Sequence, residues 1–131
     1  VVEGIDYELR SGMERFSRLL HTEFDEIRIS GGGSQSDEIC QIAADVLGKK
    51  VTKVQTNETS SLGAAISGFL SLGVYKNAGE AVKAMVHPAK TFVPDPKAKE
   101  IYDRLYKNVY SKLYPNLKKE LKYLYHFSKR D

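Results

Sequence analysis

The chain has 131 residues, 41% of them hydrophobic and 28% charged, the size and balance of one globular domain with a core of its own. No apolar run approaches the roughly 18 residues that a membrane span needs, and the opening VVEGIDYELR lacks the basic-then-apolar order of a signal peptide. The net charge of +3 is uneven, with ten basic against thirteen acidic side chains over residues 1–96 and ten against four over 97–131; the basic end reads as a solvated helical face, without the clustering of a nucleic-acid binder.

Ile5, Leu9, Met13, Phe16 and Leu20 recur at helical spacing and predict an amphipathic helix over residues 1–22. The chain starts with Val1, already inside that pattern, so the expectation is a piece of a longer protein. Residues 26–30, EIRIS, alternate as a strand, and three glycines stop it. The run from Ser34 to Glu38 offers hydroxyl caps followed by acids and predicts a helix start. Ile39, Ile42, Ala43, Val46 and Leu47 fill the helical template, and Gly48 suits the residue that closes it. The lone Cys40 sits in this helix, which excludes an internal disulfide and predicts a buried reduced thiol and a cytoplasmic address.

Residues 51–54 form a second short strand. A helix with Leu62, Ala65, Ile66, Phe69 and Leu70 on one face follows and closes at Leu72 and Gly73; its other positions, among them Gly63, Ala64, Ser67 and Gly68, are small. Asn77 with Glu80 resembles a capping box for a fourth helix. Residues 91–94 are extended, and Asp95 with Pro96 supplies an N-cap and a first-turn proline for a long C-terminal helix. There Tyr102, Tyr106, Tyr110 and Tyr114 form a half-buried packing stripe, and Pro115 is expected to bend or break the helix. The alternation of helices and strands predicts an α/β layered domain.

The segment that carries chemistry is Ile29, Ser30, Gly31, Gly32, Gly33, Ser34, Gln35 and Ser36, a strand feeding a glycine turn into a helix N-terminus. Free N–H groups and the helix dipole favour an anion there, and residues without Cβ let a ligand lie on the backbone. A plain tight turn has the same local pattern, so the glycines alone leave both readings open. No lysine follows at P-loop spacing, and the G-x-G-x-x-G fingerprint is missing.

The run ISGGGSQSDEICQIAADVLGKKVTKVQTNETSSLGAAISGFLSLGVY resembles the C-terminal domain of the FGGY carbohydrate kinases, above all xylulokinase-like members. The matching pieces are residues 31–36, the DVLG turn at residues 45–48, the strand 51–54 and the E-x-x-x-LGAA helix from Glu58. The preceding VVEGIDYELRSGMERF and the closing helix with Tyr102, Tyr106 and Tyr110 extend the likeness over nearly the whole chain. The resemblance implies part of an actin-like, ribonuclease-H-like ATPase domain ending in a long C-terminal helix. It implies ATP as ligand, with Gly31, Gly32 and Gly33 along the adenosine and α-phosphate and Gln35 and Ser36 toward the adenine. It implies a sugar substrate and Mg²⁺ held by residues outside this chain, and an inactive fragment. Ser34 stands where many members have alanine and Ser36 where some have asparagine. Glu58 matches a recurrent family acid and reads mainly as first-turn helix charge.

Candidate catalytic and metal-ligating residues are none: His21, His87 and His126 share no ligand spacing, and Asp37 and Asp45 fit a helix start and a helical face. No nucleic-acid or membrane partner is expected, and the oligomeric state, a homodimer included, is open. The alternative is a non-catalytic actin-like module that binds a nucleotide or a protein.

Overall fold

The computed structural model describes residues 1–127. Along them run α1 (Val2–Leu20), β1 (Glu26–Ile29), a 3-10 turn (Gly32–Gln35), α2 (Asp37–Leu47), β2 (Lys50–Val54), α3 (Thr59–Ser71) and α4 (Ala78–Met85). β3 (Pro88–Phe92), α5 (Pro96–Leu105), a π-helical turn (Tyr106–Tyr110) and α6 (Ser111–Phe127) complete the order.

β2 is the central strand, parallel to β1 and antiparallel to β3. The parallel pair needs a crossover, which the 3-10 turn and α2 provide. Strand alternation then sorts the side chains. Val51 faces α2 opposite Phe92, while Thr52 turns to the other face and its hydroxyl meets that of Thr91 at 2.8 Å. Pro88 begins the edge strand, where its missing N–H costs no ladder bond.

The core lies around α2. Cys40, Ala43, Ala44 and Leu47 pack with Val51 and Phe92, and Met13, Ile27 and Ile29 close the cluster. α2 is pressed by the sheet on one side and by α1 and α5 on the other. Its contact residues are small because neighbours approach from both directions.

The local signals read from the sequence operate as expected. Ser36, Asn77 and Asp95 cap α2, α4 and α5 through their side chains, and Gly48 closes α2 at φ 63°. Glu80 folds back to the N–H of Lys76 rather than that of Asn77, a capping box displaced by one residue.

The closing helix departs from its expected form. Pro115 lies inside α6 and does not end it; the irregularity is the π turn, which finishes just before Ser111. Pro115 has no N–H for the Ser111 carbonyl and its ring crowds that group. The Ser111 N–H reaches back five residues to Tyr106, and its hydroxyl donates to the Lys107 carbonyl at 2.9 Å. The widened turn also offsets the drift of residues four apart on an α-helix. It keeps Tyr110 stacked on Tyr106 at 5.9 Å and against Tyr7 of α1 at 5.1 Å. Tyr102 joins this cluster at 6.3 Å from Tyr7, so three of the four tyrosines pack as expected, while Tyr114 is exposed.

α1 differs more. It turns Asp6 and Tyr7 inward, with Met13 against the core, and leaves Ile5, Leu9, Phe16 and Leu20 exposed. Arg10 fixes this orientation by donating to the Val46 carbonyl at 3.0 Å and to Asp103 of α5 at 2.6 Å. The C-terminal carbonyls of α2 carry partial negative charge, so a guanidinium there is well placed.

Candidate functional site

β1 ends at Ile29, and the chain turns at Gly31 with φ 91° and ψ −175°, backbone open only to glycine at low cost. Gly32 and Gly33 then enter the 3-10 turn. A Cβ built at any of the three glycines would meet no atom within 4 Å. Their main chain is thus bare, and no neighbouring side chain fills the turn.

Ser34 holds the turn from beneath. Its side chain is 2% exposed, and its Oγ lies 2.7 Å from the Gly31 carbonyl and 3.1 Å from Asn57 Oδ1. Its N–H also bonds the Gly31 carbonyl at 3.1 Å. An alanine could not make the side-chain links, so Ser34 is an anchor between the loop and the approach to α3. Ser30 adds a weaker tie, its Oγ 3.5 Å from Thr59 Oγ1.

Gln35 is exposed at the end of the turn. Ser36 does other work: its Oγ accepts from the Ile39 N–H at 3.2 Å and donates to Glu38 at 2.6 Å. The hydroxyl is engaged in capping α2, and this bond holds the Glu38 carboxyl below the usual range. Asp37, the next residue, is gripped by Lys53 of β2 and Lys90 of β3, which lower its pKa. Two acids and two lysines cancel at the mouth of α2. A helix N-terminus with that balance suits a neutral nucleoside more than a chain of charged phosphates.

The sequence reading did not find Asn57, Lys53 or Lys90. Lys53 carried a signal, since it sits two residues after the buried Val51 and therefore on the α2 side of the strand. Asn57 carried none, because its partner is 23 residues away. Glu58 lies at the exposed start of α3 and makes no capping bond. The structure does not bring His21, His87 and His126 together; among the described residues no group of three His, Cys, Asp or Glu side chains could hold a metal ion. Among these residues no helix is long and apolar enough to cross a membrane.

Beside the loop, Arg28, Ser30, Val54, Leu62, Ile66 and Val86 enclose a pocket of about 190 Å³ between the sheet and α3. A larger cavity of about 630 Å³ lies elsewhere, by Arg10, Arg18, Gly48, Lys49 and Lys99. Three of its cations are paired, since Arg10 and Lys99 bind Asp103 and Lys49 lies 3.5 Å from Glu23, and Arg18 donates to the Glu14 carbonyl at 3.1 Å. The cavity sits at the C-terminal end of α2, which repels anions. The smaller pocket at the glycine loop is therefore the better nucleotide candidate.

A three-stranded mixed sheet, a glycine turn and flanking helices make this part of an actin-like ATPase fold. Solved structures share it: ligand-bound xylulose kinase from Lactobacillus acidophilus superposes with TM-score 0.75 at 24% identity, over 89% of this chain and 23% of that one. Xylulose kinase from Rhodospirillum rubrum does so with TM-score 0.68 at 30% identity, over 88% and 23%. Residues 1–72 match the C-terminal domain of the FGGY family of carbohydrate kinases, and the chain belongs to that family. It is 33% identical over 106 residues to the L-xylulose/3-keto-L-gulonate kinase of Escherichia coli, covering 81% of this chain and 21% of the relative. It is 30% identical over 105 residues to a glycerol kinase of Lactobacillus acidophilus, covering 78% and 21%. The chain thus spans about a fifth of the length of the curated relatives it matches.

Proposed function

We propose that this chain is the adenosine platform of an ATP-dependent carbohydrate kinase, which transfers the γ-phosphate of ATP to a hydroxyl of a sugar or polyol. The observation that carries the reading is the bare main chain at Gly31, Gly32 and Gly33, in a member of a kinase family. The nucleoside end of ATP fits this cradle in shape, and the charges at the mouth of α2 cancel where it would lie. The ribose and α-phosphate rest on the glycines, where a side chain would stand in their place. The base reaches the pocket beside the loop, lined by Val54, Leu62 and Ile66. Ser36 acts by fixing the first turn of α2, since its hydroxyl is bonded to Ile39 and Glu38.

Transfer needs a base for the attacking hydroxyl and charge stabilisation around the moving phosphoryl group. The carboxylates by the loop do not fit the first task, because Asp37 is held between two lysines and Glu38 is bonded by Ser36. Among the described residues no three His, Cys, Asp or Glu side chains gather to hold a metal ion on their own. Base, metal ligands and sugar contacts therefore belong to polypeptide outside this chain, in a cytoplasmic enzyme that meets ATP and free sugar together. By itself the chain binds ATP weakly and turns nothing over.

The test is steady-state kinetics on the full-length protein that carries this chain. Gly32→Arg fills the cradle, and we expect the KM for ATP to rise at least about tenfold while the KM for sugar stays within about twofold. An unchanged KM for ATP overturns the loop assignment. Absence of sugar- or polyol-dependent ATP turnover in the unsubstituted protein overturns the kinase reading in favour of a non-catalytic nucleotide- or protein-binding module.

A further inference from the structure

The Gly31 carbonyl accepts twice from one residue, at 3.1 Å from the Ser34 N–H and at 2.7 Å from the Ser34 hydroxyl. Both of its lone pairs are thereby filled from the buried side of the turn. The Gly31–Gly32 peptide is trans and planar, so its N–H points opposite to its carbonyl. Holding the carbonyl down onto Ser34 therefore holds the Gly32 N–H out over the bare glycine face, where a ligand oxygen can accept from it.

The hydroxyl that does this has a second neighbour, since Asn57 Oδ1 lies 3.1 Å from Ser34 Oγ. A serine hydroxyl has one hydrogen and here faces two oxygens; the shorter contact, 2.7 Å to Gly31, takes it. Asn57 then bonds Ser34 by presenting its NH2 group, and a half-turn of the amide puts nitrogen where oxygen would stand without altering its outline. The backbone around Asn57 is fixed. Gln55 donates to the Met85 carbonyl at 2.6 Å and accepts from the His87 N–H at 2.8 Å, and the Thr56 hydroxyl accepts from the Glu58 N–H at 3.1 Å. The connection from β2 to α3 is thus held on both sides of Asn57, which lets its side chain act as a prop.

We propose that Asn57 is a positioning residue for the nucleotide: by donating to Ser34 it keeps the hydroxyl hydrogen on the Gly31 carbonyl and the Gly32 N–H aimed at the ligand. The inference rests on the reading of the glycine turn as the adenosine platform. An ionised carboxylate in place of the Asn57 amide does the opposite. It has no hydrogen to give and accepts more strongly than a carbonyl. It draws the hydroxyl hydrogen off Gly31 and frees the Gly31–Gly32 peptide to turn.

The experiment is a double-substitution cycle on the full-length protein that carries this chain, with the Kd for ATP read by calorimetry and sugar-dependent turnover read beside it. Asn57→Asp is expected to raise the Kd about tenfold, Ser34→Ala about threefold, and the two together no more than Ser34→Ala alone. The second substitution rescues the first, because without the hydroxyl the carboxylate has no hydrogen to take. Repulsion between the added charge and the phosphates, or direct contact of Asn57 with the nucleotide, would persist in the alanine background. A double variant at least as weak as Asn57→Asp alone therefore overturns the proposal, as does Asn57→Asp with an unchanged Kd. Should the carboxylate unfold the protein, Asn57→Leu carries the same cycle: a rise of about threefold alone and none beyond Ser34→Ala in the double, an additive rise overturning the proposal. Gly32→Arg separates this inference from the reading beneath it. If Gly32→Arg leaves the Kd unchanged, the platform falls and Asn57 with it; if it raises the Kd while the cycle is additive, the platform stands and Asn57 has no positioning role. The rescue seen without sugar-dependent turnover keeps the positioning role and removes the kinase.

Discussion

Asp6 lies at the inner face of α1 with Oδ2 enclosed and no hydrogen-bond partner among the described residues. Burial, helped by the charge of Glu3, raises its pKa. The folded state therefore holds this proton more tightly than the unfolded chain, and stability falls as pH rises from the ordinary aspartate range through the raised value. Asp6→Asn removes the charge and is expected to stabilise the chain by about 1 kcal/mol at pH 7. The gain should vanish toward pH values below about 3.9, where the native side chain is protonated in both states. Thermal unfolding across that range checks it, and a gain that persists at low pH would contradict the buried-charge account. Ser34 offers a second test at this scale. Ser34→Ala removes the hydroxyl that ties Gly31 to Asn57 and should cost about 1 kcal/mol in a denaturant titration. The sequence showed Ser34 as one of two hydroxyls before a helix. It could not tell that Ser36 caps and Ser34 anchors, because the anchor depends on a residue beyond the next strand.

Elements were legible wherever their ends are set by local chemistry. Ser36, Asn77 and Asp95 start helices, and Gly48 ends one, because each acts on backbone within three or four residues. Gly48→Ala tests this: at φ 63° an alanine is strained, and its Cβ would lie 2.6 Å from the Lys99 chain. We expect a loss of about 1 kcal/mol by thermal unfolding, with Gly48→Asn milder because asparagine tolerates this region. What the sequence misplaced were features set by non-local packing. The π turn answers to Pro115 and to the fit of Tyr106 and Tyr110 against Tyr7, three constraints that periodicity does not contain. Apolar spacing predicted that α1 is amphipathic, but not that Arg10 and Tyr7 would win the inner face through Val46, Asp103 and Tyr102.

At the scale of the molecule, a small core around α2 carries a sheet edge, an open glycine turn and two long helices rich in exposed apolar side chains. The α/β layering was readable from the alternating helix and strand periods, but the third strand was not: β3 spans Pro88–Phe92, where the sequence offered only an extended stretch at 91–94. The glycine turn was readable as a motif, yet its openness was not, since only the fold shows that no side chain enters it. The surfaces of α1, α3 and α6 were beyond reach, because a pattern that says apolar does not say against what. The proposed kinase reading seats adenosine on residues 31–33. It is tested most directly by titrating the isotope-labelled chain with ATP and following its backbone amide resonances. The account predicts weak, fast-exchange binding, with the largest shifts at Gly31, Gly32, Gly33 and Gln35 and smaller ones at Val54 and Ile66. Shifts centred instead on Arg10, Gly48 and Lys99, or none at all at saturating ATP, would contradict it.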